Sequence, residues 1–473
     1  MELHGWLVKH VTYPFWLIYD GQLGALESLR DLRKSQFYSP TKLEDLRRDR
    51  LRRLLQHAFA NCPYYRRIFN EAGWTLSSFK DFSDLRKLPI LTKEILVNHL
   101  EELVAENIRR DKIHRTASGG STGRQTPFYR DNACLGVKWA AEWRFHQWAG
   151  WDLGEPLALA WPARQDLESR PNWKSKLRNG TSRRELVLYA GSLSEESMER
   201  FAIDLSRQRI RHLKGFTNAV YRFAQFCRGR YEFPFLRSIV CTGEAVLPGP
   251  RSYIEEGMGA KVFDYYCGRE VGPIAAQCEL RTGLHLNEEN LHVEFEREET
   301  ASPDGTASLL ITDLMNFGMP FIRYRVGDRG RPLSGQCPCG RGLRKLDQVI
   351  GRVTDFLVST RGELVHGATL VHYALALGYD VAQVQFVQRE LGRVTLRLTQ
   401  SCKGRDLELA HLENTLRALL GSDVKIEREF VSAILPESSG KYRVTICEVF
   451  PPARAAMPHT AVDRGRTVEA KPQ

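Results

Sequence analysis

Residues 51–73, LRRLLQHAFANCPYYRRIFNEAG, repeat their apolar side chains at three- and four-residue intervals, and the whole stretch from about 25 to 110 predicts helices. Leu88-Pro89-Ile90-Leu91-Thr92-Lys93 interrupts that pattern, and Thr92, followed by Glu94 and an apolar run, is placed to cap the next helix. Residues 132–148 predict a further helix directly after a glycine- and serine-rich loop. From about 155 to 300, short apolar runs such as 156–161 and 236–242 alternate with helical segments, which predicts βαβ units around a largely parallel sheet. Residues 309–313 and 321–324 predict strands flanking a loop. The composition changes at 347–352, and 353–449 predict a small α+β domain. From 451 the chain is rich in proline, alanine and arginine without periodicity, and is expected to be disordered. No internal repeat is evident.

Length and composition refine this. A chain of 473 residues is too long for one ordinary core, and 42% hydrophobic with 10% aromatic residues suits globular domains. Lysine and arginine exceed aspartate and glutamate by 68 − 57 = 11, a sign that suits an anionic ligand or surface. The arginines are spread along the chain and form no recognised nucleic-acid module, so nucleic acid is the weaker reading. No apolar run reaches a membrane span, and the aromatic stretch at 13–19 lacks the features of a signal peptide. Phe15, Trp16, Leu17 and Ile18 are expected to pack on the main domain, with a membrane-surface patch as the alternative. Ten cysteines fall short of disulfide-scaffold density, and a cytoplasmic protein is expected.

The loop SGGSTGR, Ser118 with Gly119, Gly120, Ser121, Thr122, Gly123 and Arg124, has two readings. It is a surface turn, or its backbone N–H groups and hydroxyls converge on a phosphate with Arg124 supplying charge. It lacks the spacing of a Walker A loop. Elsewhere, Cys278, His285, Cys337 and Cys339 form the donor set of a tetrahedral zinc site; the plainer alternative is buried thiols and a satisfied imidazole.

Six stretches in order carry a resemblance: SGGSTGRQTP at 118–127, CTGEAV at 241–246, DYYCGREVG at 264–272, ITDLMNFGMPFIRYRVGD at 311–328, GRVTDFLVSTRGELVHG at 351–367 and ESSGKYRV at 437–444. Together they resemble the adenylate-forming (acyl-CoA synthetase) superfamily, most of all its branch of phenylacetate-CoA ligases and CapK-type proteins, over about residues 50–447. The resemblance implies a large α/β adenylate-forming domain over 1–350 and a small mobile α+β lid over 351–450, hinged at 350–354. It implies that the Ser118–Arg124 loop holds the β- and γ-phosphates of ATP. Gly243 and Glu244 would border the adenine and acyl pocket, Asp264, Tyr265 and Tyr266 would line the nucleotide, and Tyr266 would stack near adenine. Glu270 would ligate Mg²⁺, Asp328 and Arg352 would hold the ribose, and Lys441 would reach the attacking carboxylate and the α-phosphate. The acyl pocket is expected among Trp161, Phe216, Tyr221 and Glu244.

Departures mark this chain within the branch. Arg269 stands where a threonine is usual, Thr354 where the hinge usually has Asp, and Arg124 where Lys is common. A guanidinium at Arg269 can serve phosphate in place of the hydroxyl. Some relatives on this branch also carry a structural zinc near the Cys/His set. The implied reaction joins a small carboxylic acid, through acyl-AMP, to coenzyme A. An amine acceptor, giving an amide, is the second reading, and an inactive nucleotide-binding scaffold the third. A monomer or homodimer is expected.

Overall fold

The computed structural model describes residues 3–22, 24–75, 79–118, 126–161, 177–190, 193–246, 248–296, 305–352, 356–361, 364–366, 370, 373–374, 377–379, 383–434 and 443–449. The tail from 451, the loop residues Gly119–Arg124, the hinge residues 353–355 and Lys441 lie outside them.

The helices expected between 25 and 110 are present, the longest over Pro40–Asn61 with Ser39 as its N-cap. Thr92 caps the helix Lys93–Asn98 by accepting from the Ile95 N–H, and the helix Asn132–Trp148 has the predicted bounds. Of the four N-terminal residues expected to pack inward, Leu17 is buried and Trp16 partly so, whereas Phe15 and Ile18 are exposed. One helix cannot turn both 15/18 and 16/17 to the same side.

A hairpin of β1 (Ile113–Ser118) and β2 (Thr126–Asp131) brackets the glycine-rich loop, with Ser118 opposite Thr126. The principal sheet contains β3 (Leu157–Trp161), β4 (Glu185–Tyr189), β5 (His212–Phe216), β6 (Ser238–Thr242), β7 (Lys261–Gly268), β8 (Gly272–Gln277), β9 (Leu284–Leu286), β10 (Leu291–Glu296), β11 (Ala307–Asp313), β12 (Tyr324–Leu333) and β13 (Lys345–Arg352). Their order is β10-β11-β12-β13-β9-β8-β7-β6-β5-β3-β4. From β4 to β7 neighbouring strands are parallel, the βαβ half that the sequence predicts. From β7 onward they are antiparallel, against the expectation of a largely parallel sheet to residue 300. Only Arg269, Glu270 and Val271 join β7 to β8, too few residues for a parallel crossover. The strand expected at 321–324 instead begins at Tyr324.

Residues beyond β13 build a separate small core. β14 (Phe356–Val358), β15 (Leu364–His366), β16 (Val384–Glu390), β17 (Arg393–Thr399), β18 (Lys425–Val431) and β19 (Thr445–Cys447) accompany the helix Asp406–Leu420. That helix buries Leu409, Leu412, Leu416 and Leu420 at helical spacing, against Phe386, Leu396 and Leu398.

Buried charge ties the N-terminal helices to the antiparallel half. Arg144, on the helix Asn132–Trp148 and without solvent exposure, donates to Glu289 Oε1 at 2.6 Å and to Asn287 Oδ1 at 3.0 Å. The Ser35 hydroxyl donates to the same Glu289 oxygen at 2.8 Å, and Arg47 pairs with Glu288. Removing one partner of such a pair leaves a buried charge uncompensated. Arg144→Ala and Glu289→Gln, each of which leaves a buried charge without its partner, are therefore both expected to lose about 3–5 kcal/mol of stability in chemical denaturation.

Candidate functional site

The site forms where the sheet changes from parallel to antiparallel. The Tyr266 hydroxyl, near the end of β7, donates to Asp328 Oδ2 on β12 at 2.7 Å. Four residues after Tyr266, in the β7–β8 turn, Glu270 accepts at Oε1 from the Tyr324 hydroxyl at 3.1 Å. Asp328 pairs with Arg352 in the β12–β13 register, which puts their backbones side by side. Three strands, β7, β12 and β13, and the β7–β8 turn thus gather Tyr266, Glu270, Asp328 and the backbone of Arg352.

The hairpin that brackets the glycine-rich loop is fastened to the same turn. Arg130, on β2, donates to the carbonyl of Arg269 and, at 3.3 Å, to that of Glu270. Asp131, next in sequence, accepts from the Cys134, Phe317 and Gly318 N–H groups at 2.8, 2.9 and 2.8 Å. It caps the helix and pins the 314–320 loop with one carboxylate. From that helix the buried Lys138 reaches the Val271 carbonyl at 2.5 Å and Asp313 Oδ2 at 2.7 Å. At Gly272 the backbone has φ +78° and an added Cβ would lie 2.9 Å from Lys138 Cδ, so the glycine makes room for that lysine.

On the parallel side, Gly243 follows β6 at φ +82°, where a Cβ would stand 2.5 Å from the Phe216 ring. The Thr217 hydroxyl donates to the Glu244 carbonyl at 2.8 Å. Phe216 meets Trp161 edge-on at 5.0 Å, so these aromatic groups gather at the carboxyl ends of β3 and β5, where ligands bind in parallel α/β sheets. Tyr265 does not join Tyr266. Alternation along β7 sends it to the opposite face, buried against Phe145 and His146. Asp264 accepts from the N–H groups of Val246 and Tyr265, which holds the segment after β6 in place.

Arg130, Lys138, Asp131, Asp313 and Tyr324 escaped the sequence reading. Arg130 lies just beyond SGGSTGRQTP and Tyr324 lies within ITDLMNFGMPFIRYRVGD, but their roles depend on pairings across more than 50 residues. Among the expected site residues, Gly119–Arg124 and Lys441 lie outside the described residues, and the side chain of Arg352 is not described.

Cys278, His285, Cys337 and Cys339 converge, their ligating atoms all within 4.8 Å of one another. Cys278 Sγ lies 3.9 Å from Cys337 Sγ, and Cys339 Sγ lies 3.4 Å from His285 Nε2. Zinc–sulfur and zinc–nitrogen bonds of about 2.3 and 2.0–2.1 Å in a tetrahedron imply edges of about 3.8 and 3.5 Å. The other ring nitrogen, Nδ1, faces the Leu343 carbonyl at 3.3 Å, the outer contact that orients a metal-binding imidazole. Burial lowers the His285 pKa to about 4, leaving the imidazole neutral. The donor set and its spacing fit zinc.

Residues 357–448 match the model of the CapK C-terminal domain. The chain is 27% identical to the phenylacetate-coenzyme A ligase of Thermus thermophilus over 370 residues, 74% of this chain and 79% of that one. It is 23% identical to Protein CapK of Staphylococcus aureus over 411 residues, 85% of this chain and 89% of that one. In fold it is similar to 2-hydroxyisobutyryl-CoA ligase in the postadenylation state in complex with R3-HIB-AMP, with a TM-score of 0.68 at 20% identity over 87% of this chain and 90% of that one. These likenesses support the phenylacetate-CoA ligase and CapK-like branch of the adenylate-forming superfamily.

Burial raises the Asp264 pKa to about 7, against the opposing pull of Arg251 and the Val246 and Tyr265 N–H groups. An unfolded aspartate titrates near about 3.9, so between about 4 and 7 the folded chain binds more protons than the unfolded one. The stability tied to protonated Asp264 is complete below about pH 4 and is lost as pH rises through about 7. Asp264→Asn is expected to flatten that decline in urea midpoints measured across the window.

Proposed function

We propose that this chain activates a small carboxylic acid with ATP to an acyl-adenylate and then passes the acyl group to the thiol of coenzyme A. The observation that carries the reading is the convergence on one turn: Arg130 fastens the loop-bearing hairpin to Arg269–Glu270, while Tyr266 and Glu270 reach Asp328 and Tyr324 on β12. This supports assigning the metal and ribose candidates of the resemblance, and the hairpin that carries the phosphate-loop candidate, to one site.

In the first half-reaction a carboxylate oxygen of the acid attacks the α-phosphorus, an O–P bond forms, and pyrophosphate leaves with the electron pair of the broken P–O bond. The 118–124 loop would cradle the β- and γ-phosphates with backbone N–H groups and Arg124. Asp328, oriented by Tyr266, would accept the ribose hydroxyls, with Arg352 beside it, and the Tyr266 ring would flank the adenine. Lys441 would stabilise the charge shared by the carboxylate and α-phosphate, with Arg269 offering a second cation at the turn. Glu270, held at one oxygen by Tyr324, fits a hard cation. Bound there, Mg²⁺ would neutralise phosphate charge. In the second half-reaction the coenzyme A thiolate attacks the acyl carbon and AMP leaves. A joint at 350–354 between a large unit, 1–350, and a lid, 351–450, would swing Lys441 in for the first step and out for the second. Trp161, Phe216 and Tyr221 would enclose the acyl part.

Residues 357–448 match a CapK C-terminal domain, and the second reading, from the resemblance to CapK-type proteins, is an amine acceptor that gives an amide in place of the thioester. The Cys278–His285–Cys337–Cys339 set would hold a structural zinc that staples the β8–β9 turn to the β12–β13 connection and takes no part in the chemistry.

The test is release of AMP and pyrophosphate from ATP with a panel of aryl and aliphatic acids, with coenzyme A and separately with amines. An acid-dependent release that coenzyme A completes supports the thioester, completion by amines alone favours the amide, and no acid-dependent release refutes both. Glu270→Gln is expected to slow adenylation on the order of a hundredfold or more even at saturating ATP. Lys441→Ala should lose adenylation yet still convert preformed acyl-AMP to product, and equal loss of both steps would remove its assigned role.

For zinc, elemental analysis of the purified protein should find about one zinc per chain. Chelation or Cys337→Ser should lower the melting temperature while sparing the specific activity of the fraction that stays folded. A fully stable, metal-free preparation would refute the site.

A further inference from the structure

The N-terminal helical segment turns its apolar side outward. Trp6, Leu7, Val11, Phe15, Ile18 and Tyr19 are between 42% and 61% exposed, while Val8 and Leu17 on the other side are buried. The helices Leu3–Leu7 and Tyr13–Tyr19 are joined by a wider π-helical turn over Val8–Thr12. At 100° per residue throughout, the six outward residues would spread over about 220° of the helix surface; the turn, at about 80° per residue, gathers them into about 130°. The change of phase thus makes a single apolar ridge, with His10 and Tyr19 the exposed titratable side chains along it among the described residues.

The inward side is fixed to a basic turn. The Trp16 indole N–H donates to the Thr181 hydroxyl at 3.1 Å, and the Thr12 hydroxyl to the Thr181 carbonyl at 2.5 Å. Arg178 pairs with Asp20 at 2.8 Å and lies over the Trp16 ring at 4.7 Å. Residues 177–184, LRNGTSRR, carry three arginines and no acid, and Leu177 is itself 47% exposed. The ridge therefore is not a loose end. It is an anchored element that presents tryptophan, phenylalanine, tyrosine and aliphatic groups; Arg178 is paired with Asp20 and Arg184 donates to the Gly154 carbonyl, so attraction to anionic lipid rests on the net charge of +11.

We propose that residues 3–20 dock this chain in the plane of an anionic lipid surface. Large aromatic and branched side chains seat at the boundary between headgroups and acyl chains, and the segment has no need to span it. No described helix is long and apolar enough to cross a membrane. Charge selects lipid over a second copy: two chains of net charge +11 repel, whereas an acidic bilayer attracts that sign. The ridge lies on the surface of the helical N-terminus, so docking concentrates the enzyme at a bilayer while leaving its chemistry unchanged.

The full-length protein is to be sedimented with phosphatidylglycerol-containing vesicles and with pure phosphatidylcholine vesicles. Binding is expected to the first, to weaken with salt, and to fall on the order of tenfold or more in the double variant Phe15→Ser, Ile18→Ser. Because both positions are exposed, the variant should keep the wild-type melting temperature; Val11→Ser alone is a milder second variant with a smaller loss. Absence of wild-type binding, or binding unchanged in the double variant, overturns the proposal. A wild-type dimer that the double variant turns into a monomer without vesicles also overturns it, and assigns the ridge to contact between copies.

Discussion

Three residues separate the last residue of β7 from the first of β8, and the rest of the site follows from how little chain that is. A parallel neighbour needs a crossover of a dozen or more residues, so β8 has to turn back along β7. The parallel sheet ends there and an antiparallel one begins. The short turn presents Glu270 at its tip, with Tyr266 four residues earlier on the strand. Because the antiparallel half continues to β12, Asp328 and Tyr324 arrive opposite those two residues, and each accepts or donates one hydrogen bond across the gap.

The turn is held from beneath by cations that the low-polarity interior makes effective. Lys138 and Arg130 both end on main-chain carbonyls of Arg269, Glu270 or Val271. A carbonyl so engaged cannot rotate freely, which limits the turn to one conformation. Lys138 also neutralises Asp313, and Asp131 closes the same set of elements by collecting three N–H groups. These charges are buried, so each is stable only while its partner is present. The local geometry is therefore cooperative: loosening the hairpin, the helix or the 314–320 loop loosens the others.

The Cys/His cluster and the Asn287–Asn290 network stabilise the antiparallel half from two further sides. The first links the β8–β9 turn to the stretch after β12. The second joins Arg47 and Arg144 to Glu288 and Glu289. Neither touches Glu270 or Asp328 among the contacts described. Their effect on chemistry is to keep β12 and β13 in register with β7 and β8, so that groups far apart in sequence meet within hydrogen-bond distance.

Sequence by itself determined the local elements, since these depend on neighbours within a few residues. Helical spacing predicted Asn132–Trp148, Thr92 declared itself a cap, and the leucines of 406–420 follow one helix face. The ordered stretches from 118 to 444 likewise carried the family resemblance, and the four zinc-type donors could be picked out by residue type. What it left undetermined was pairing. Whether β8 ran with or against β7 rested on counting the residues of a turn whose ends the periodicity did not mark. Tyr265 and Tyr266 are equivalent in composition, and only the strand's alternation in three dimensions sends one into the core and the other to Asp328. The same holds for Phe15 and Leu17, two residues apart on the same apolar run, whose faces are assigned by the wider turn before them and by what Thr181 and Arg178 bind. Contacts between residues dozens to hundreds of positions apart leave no periodic trace in the chain, and the tertiary structure alone decides them.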